Sequence, residues 1–275
     1  MNWDTYNTKG IKLKYVYRYI SLEKLIHFLE TGSLYFARMD TFEDNLENIT
    51  PFDITELIGH LPNLDFLSYM DTSIMPDGEV EDMEKTRIKA LKEVKKNLNS
   101  QRKKYVSSWA LSNSESIGMW DLYAPNGFMI RFERSHLQRI IKSQLDYHSN
   151  VLFSSDLVIA GRVKYQDYET IPFNEKGSYM LYSAFRKHIA FKHEEEYRIV
   201  IQKAETYKKK GIEYYLGKID KLDFEIYANP RMNKFAIDKY IMVLRKFSQN
   251  HVLKESRLKP WLKFKEMDIF KKTKT

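Results

Sequence analysis

From Glu194 to Gln202 the chain reads EEEYRIVIQ, and a period of two runs through it: Glu194, Glu196 and Arg198 fall on one parity, Glu195, Tyr197 and Ile199 on the other. Side chains of a β-strand point to alternate faces, so this pattern predicts a strand whose one face begins with two carboxylates and a guanidinium. Carboxylates that close raise each other's pKa, and a neighbouring guanidinium lowers it. The cluster is therefore either a tuned acid–base site or the solvated edge of a sheet, whose charges discourage aggregation.

Other segments place this strand in a larger pattern. Ile11 to Ile20 alternates around Leu13, Tyr15, Tyr17 and Tyr19 and predicts a strand. Ser21 is placed to cap a helix whose apolar positions are Leu22, Leu25, Ile26 and Leu29, and Gly32 supplies the left-handed stop before a strand over 34–38. An amphipathic helix is predicted from about Val80 to Lys104, with Val80, Met83, Arg87, Leu91, Val94 and Leu98 on one stripe. Strands follow at 105–111 and 127–132, separated by a helical turn carrying Met119, Trp120 and Tyr123. Further strands are expected at 157–165, 196–202, 212–216 and 224–228, and a late helix at 232–247. Strand, helix, strand, insertion, then mostly strands indicates an α+β fold with a mixed or antiparallel sheet and packed helices. We expect a single domain over 11–250 with a helical insertion near 53–104, and a basic, aromatic-containing tail over 251–275.

Composition removes several function classes. At 275 residues and 43% hydrophobic, with nineteen Tyr, sixteen Phe and four Trp, the chain can bury a full core. It has no Cys, which excludes a disulfide scaffold, a thiol nucleophile and every Cys-ligated zinc site. His193 opens HEEEY without the second His of a zinc-binding helix, so no metal is expected. Neither a dinucleotide-binding GxGxxG, a P-loop nor a Gly-x-Ser-x-Gly elbow occurs. The first ten residues, MNWDTYNTKG, carry neither a basic nor an apolar leader region, and no apolar run is long enough to span a bilayer, so a cytoplasmic location is expected.

The formal net charge is +8 and unevenly spread. Residues 254–275 hold eight Lys or Arg against three acids, interleaved with Trp261, Phe264 and Phe270. That arrangement suits a nucleic-acid backbone with stacked bases or an anionic membrane surface, with a solvated extension whose aromatics fold back on the core as the alternative. Lys95, Lys96, Arg102, Lys103 and Lys104 form a second basic group at the end of the predicted long helix. Nucleic acid and a protein target are both admissible partners.

Three separated segments carry a resemblance. Tyr17-Arg18-Tyr19 with LYFARMDTFEDNLE, then VSSWALSNSESIGMWDLYAPNGFMIRF, then VKYQDY with FRKHIAFKHEEEYRIV, together resemble an uncharacterised bacterial family, a domain of unknown function often found near phage-defence and mobile-element genes. The turn at Phe42-Glu43-Asp44-Asn45 departs from the Phe-Asn-Asp-Pro of that family. The order of an early strand with an aromatic-flanked Arg, a middle strand with Ser, and a late Glu-x-Glu is also similar to the ADP-ribosyltransferase layout. That likeness implies NAD as substrate, with Arg18 anchoring the phosphates, Ser107 or Ser108 shaping the nicotinamide pocket, and Glu196, or alternatively Glu194, steadying the ribosyl cation beside Arg198. Tyr19, Trp109, Trp120 and Tyr123 are the aromatic candidates for the pocket wall, with core packing as the alternative for each. For Arg18 the alternative is an ion pair with Asp40, Asp44 or Glu47. The expected function is an NAD-dependent ADP-ribosyltransferase or NAD glycohydrolase acting as a toxin or antiviral defence effector. A nucleic-acid-binding or nuclease-type effector and a non-catalytic interaction module are the alternatives.

Overall fold

The computed structural model of the chain describes residues 2–42, 44, 47, 99–145, 156–167, 182–204 and 208–259, with positions 78, 81, 82, 85, 88, 89, 92, 95 and 96. Its centre is a ten-stranded mixed sheet. Strand β1 is Asn2–Tyr6, β2 Tyr15–Ile20, β3 Ser33–Arg38, β4 Lys104–Ala110, β5 Phe128–Glu133 and β6 Leu157–Arg162. The short strands β7 (Lys164–Gln166) and β8 (Arg186–His188) form a separate parallel pair. Strand β9 is Glu196–Gln202, β10 Gly211–Tyr215, β11 Glu225–Ala228 and β12 Leu253–Glu255. Helices α1 (Leu22–Thr31), α2 (Ile117–Tyr123), α3 (Arg134–Ser143) and α4 (Lys234–Leu244) complete the α+β arrangement.

The expected strands are present with small shifts of their ends. Alternation does not sustain the strand over 11–20, which begins at Tyr15, and the strand over 157–165 breaks at Val163 into β6 and β7. The long helix stops before Lys104: Gln101–Lys103 is a 3₁₀ turn, and Lys104 opens β4. The stripe from Val80 to Leu98 that was to carry this helix lies outside the described residues, as do most of the expected insertion over 53–104 and residues 260–275 of the tail. Helix α3 and strands β1, β8 and β12 are additional. The folded unit also exceeds 11–250 at both ends, because β1 pairs in parallel with β6 and β12 pairs in parallel with β11.

Local chemistry accounts for α1. Ser21, extended at φ −72°, accepts the Lys24 backbone N–H, and Gly32 at φ +65° ends the helix while its N–H returns to the Phe28 carbonyl. A side chain at Gly32 would also collide with the Gly217 carbonyl, so glycine is required there twice over.

The strand order is β1-β6-β9-β4-β2-β5-β11-β12, but the sheet forks at β4. One edge of β4 is shared by two strands. β3 pairs through Ala37 and Arg38 with Val106 and Tyr105, while β2 pairs only through Tyr17 with Ala110. Ser107, Ser108 and Trp109 fall between those pairings and leave a window in the sheet.

The two faces are covered differently. Helices α1, α3 and α4 pack on one face, where Leu25, Phe28, Leu137, Ile141 and Ile237 join Trp109, Phe132, Tyr197 and Ile199 in the main core. Two smaller clusters cover the other face. Tyr17, Tyr19, Ala110 and Met129 pack with Met119 and Trp120 of α2, and Val106, Ile159 and Val200 pack with Met39, Ala184 and Phe185. Burying all these side chains is worth on the order of 1.5–3 kcal/mol for each large apolar residue. Polar side chains line the gap between the two clusters.

Candidate functional site

The gap is a cavity of about 710 Å³ whose walls come from both sides of the fork. Strand β2 contributes Tyr17, Arg18 and Tyr19, β4 contributes Ser108 and Trp109, and β9 contributes Glu196 and Arg198. A volume of that size is typical of small-molecule sites.

Alternation places Glu196 and Arg198 on the same face of β9, as expected from the sequence. The expectation that Glu194 extends this strand fails: Ile189–Glu194 is a 3₁₀ helix, and Glu195 adopts a left-handed conformation at φ +44°. This turn leaves Glu195 exposed and lets Glu194 and Glu196 both point inward. A non-glycine residue in the left-handed region costs about 1–2 kcal/mol and is tolerated where the surroundings fix it. The solvated-edge reading is also overturned, because β9 is central, between β6 and β4, and Arg198 is fully buried.

Five charged groups interlock on the cavity floor. Arg198 Nε and Nη2 donate to Glu196 Oε2 and Oε1 at 2.7 and 2.9 Å, and Nη1 donates to the Ala184 carbonyl at 2.7 Å. Lys187 Nζ donates to Glu194 Oε2 at 2.6 Å and to Glu196 Oε1 at 3.1 Å, and lies 3.0 Å from Glu47 Oε1. Glu47 Oε2 in turn pairs with Arg198 Nη2 at 2.7 Å. Gln101 fixes Glu47 by donating its side-chain amide to the Glu47 carbonyl at 2.7 Å. Three carboxylates thus share two cations.

The surroundings push these groups apart in pKa. Burial works against a charged Glu196, but the Arg198 guanidinium more than offsets it and holds the carboxyl well below the usual range. Burial raises Glu194, and the neighbouring Glu196 adds to this, so that it titrates at about 7. Burial opposes the charge of Lys187, yet Glu196 and Glu47 outweigh it and keep the ammonium protonated. The Tyr123 hydroxyl donates to Glu194 Oε1 at 2.8 Å, and burial with that carboxylate raises its pKa. The Tyr165 hydroxyl caps the start of β9 by accepting the Glu196 backbone N–H at 2.8 Å. Glu194 is therefore a carboxyl poised near neutrality, and Glu196 is a permanent anion bound to its cations.

Arg18 occupies the window in the sheet. Its Nη1 donates to Ser107 Oγ at 2.9 Å and its Nη2 to the Tyr35 carbonyl at 3.1 Å, with the guanidinium 5.6 Å from the Trp109 ring centre. No carboxylate among the described residues lies within ion-pairing distance of it. The expected pairing with Asp40, Asp44 or Glu47 is absent: Asp40 pairs with Arg38 and Arg102, and Glu47 with Lys187 and Arg198. Burial alone lowers Arg18 to about 10, which leaves it charged at neutral pH. A second cavity of about 270 Å³ opens toward α1, lined by Phe28, Leu34, Tyr35 and Ile130. Arg18, Ile20 and Lys24 line both cavities.

Of the residues singled out from sequence, Glu194, Glu196, Arg198, Arg18, Tyr19, Ser108, Trp109 and Tyr123 line the main cavity. Ser107 and Trp120 do not. Ser107 is buried beneath the window, where its Oγ also accepts the Trp109 indole N–H at 3.0 Å. Trp120 is fully buried, donates its indole N–H to Glu115 at 3.1 Å and packs edge-on against Tyr19, so core packing is its role. Sequence reasoning missed Lys187 and the part Glu47 plays. Lys187 stands within FRKHIAFKHEEEYR, but only the pairing of β8 with β7 turns it toward the carboxylates.

Residues 119–199 match a family model described as "Protein of unknown function (DUF2971)". The match supports the resemblance to an uncharacterised family, and it contains Tyr123, Lys187, Glu194, Glu196 and Arg198 but neither Arg18 nor Glu47. No match is found among curated proteins or among solved structures. Among the described residues no helix is long and apolar enough to cross a membrane.

Proposed function

We propose that the chain cleaves or transfers the ribosyl group of a nucleotide of the NAD type, and that it does so with Glu194 rather than Glu196 as the working carboxylate. The carrying observation is Arg18: a charged guanidinium without a carboxylate partner among the described residues stands at the junction of two cavities, one of which holds a carboxyl titrating at about 7. A half-buried cation without a counter-charge is poorly compensated, and an anionic ligand relieves it. A guanidinium suits a diphosphate because its planar fork donates two hydrogen bonds at once. Lys24 at the shared rim adds a second positive charge.

In this reading the phosphates lie over Arg18 and Lys24 and the ribosyl half reaches the carboxylate floor. Breaking the C1′–N bond sends its electron pair to the nicotinamide nitrogen, which leaves neutral, while positive charge builds on the ribose. The anionic floor stabilises that charge more in the transition state than in the ground state. Water or an acceptor hydroxyl then bonds to C1′ and gives its proton to the Glu194 carboxylate, which Lys187 and Tyr123 hold in place. Glu196 is bound twice by Arg198 and once by Lys187, so its part is to set the field and position of Glu194.

Incubating the purified protein with NAD and measuring free nicotinamide tests the reading. Release that is lost in Glu194→Gln is expected. No release, together with no binding of NAD or ADP-ribose, overturns it. The expected role as a toxin or antiviral effector predicts in addition that intracellular NAD falls on expression of the wild type and not of Glu194→Gln.

A further inference from the structure

At the opposite end of β4 and β9 from the candidate site lies a groove of about 570 Å³ with a different character. Lys92, Lys95 and Lys96 line it from the helical segment before residue 99, Lys103 from the 3₁₀ turn, and Gln202 and Lys203 from the end of β9. Among the described residues no acid lines it. Positions 92, 95, 96 and 99 recur at helical spacing and share one face, so the cations form a row rather than a scatter. Lys92 and Lys95 are exposed.

The fold gathers still more charge here. The Arg38 backbone N–H donates to the Lys210 carbonyl at 2.8 Å, and the Tyr105 hydroxyl to the Lys209 carbonyl at 3.2 Å, which holds the exposed run Lys208 to Lys210 at this end of the sheet. Two described acids at this end are already engaged. Asp156 pairs with Lys203 and accepts the Ala204 N–H, and Asp40 pairs with Arg38 and Arg102. Two of the cations expected from sequence to belong to this group do not join the groove: Lys104 is buried and donates to Ser183, and Arg102 pairs with Asp40.

We infer that this groove binds the phosphate backbone of a nucleic acid, without reading its bases. A row of lysines along a concave groove neutralises a linear polyanion. Ser100, Asn99 and Gln202 supply polar groups of the kind that bond phosphate and sugar oxygens. Among the described residues no aromatic or large aliphatic side chain lines the groove, which favours a polyanion over a lipid surface. Strands of seven residues separate groove and site by about 20 Å. The groove is thus independent of the chemistry proposed for the cavity.

The test is fluorescence anisotropy of labelled 20-nucleotide single strands and duplexes with the full chain, across a series of salt concentrations. Wild type should bind, with the logarithm of affinity falling linearly against the logarithm of salt. Lys92→Glu/Lys95→Glu should weaken binding at least tenfold and reduce that slope by about 1.5, as expected for two lost phosphate contacts. Lys218→Glu/Lys221→Glu, which makes the same change in net charge elsewhere, should have little effect. Equal losses in both double variants, retained affinity in the groove variant, or binding lost only on deletion of residues 260–275 would each overturn the inference. So would binding to anionic phospholipid vesicles with none to oligonucleotides. Lys92→Gln/Lys95→Gln, with a smaller loss in the same order, guards against a folding defect in the glutamate variant.

Discussion

Glu196 and Arg198 stand two residues apart on β9 and are joined by two hydrogen bonds of 2.7 and 2.9 Å, with Arg198 fully buried. This pair anchors the floor of the cavity, and it separates the roles of the two carboxylates. Glu196 is structural in its charge. Glu194, which Lys187 and Tyr123 hold, is the one free to change protonation.

Glu196→Gln and Glu194→Gln should therefore differ in stability. The first removes the anion that a buried guanidinium depends on, leaving Arg198 with Glu47 alone, and should cost about 3 kcal/mol. The second removes a carboxyl already strained by burial and should cost less than about 1 kcal/mol. Urea denaturation of both variants at pH 7.5 measures the difference, and equal losses would refute the division of roles.

Arg18→Met should show the reverse signature. Removing a half-buried charge that has no carboxylate partner among the described residues should leave the melting temperature unchanged or higher, while binding of ADP-ribose falls at least about 100-fold. Calorimetry alongside thermal unfolding checks both. A large drop in stability would mean that the guanidinium serves the fold by bonding Ser107 and Tyr35 across the window.

Glu194 also gives the fold a pH dependence whose sign is fixed. Its folded pKa, about 7, lies above the unfolded value, so the native state holds a proton that the unfolded chain has released. That contribution is fully present below the unfolded pKa and is lost as pH rises through 7. Wild type should lose stability relative to Glu194→Gln between about pH 4.5 and 7. If Glu194 is the base, activity should instead rise across pH 7. Parallel unfolding and rate profiles would separate the two effects, and identical stability profiles for wild type and variant would exclude the shifted carboxyl.

Residues 251–259 are tied to the body of the fold. His251 stacks on Phe224 with ring centres 3.8 Å apart and lies 2.8 Å from the Leu222 carbonyl, and Ser256 and Arg257 both bond Glu115. Truncation after Asn250 should cost roughly 3 kcal/mol or more, measured by thermal or urea unfolding. A chain ending at Asn250 that melts like wild type would show that β12 contributes little.

Local elements were legible wherever one rule of strand or helix geometry dominates. Period-two alternation gave Glu196 and Arg198 a common face, and Ser21 with Gly32 fixed both ends of α1, because strand geometry and helix caps depend only on neighbouring residues. What those faces meet follows from the packed fold. The reversal at Glu195 turns Glu194 inward, the β7–β8 pair presents Lys187, and the residues before β4 bring in Glu47, all across distances that no local pattern encodes. Arg18 shows the difference most directly. In sequence it is a cation near three acids; in the fold Asp40 pairs with Arg38 and Arg102, Glu47 pairs with Lys187 and Arg198, and the fork at β4 places Arg18 in a window away from both. Partner choice among charges is set by which groups share a desolvated space, and only the packed chain defines that space.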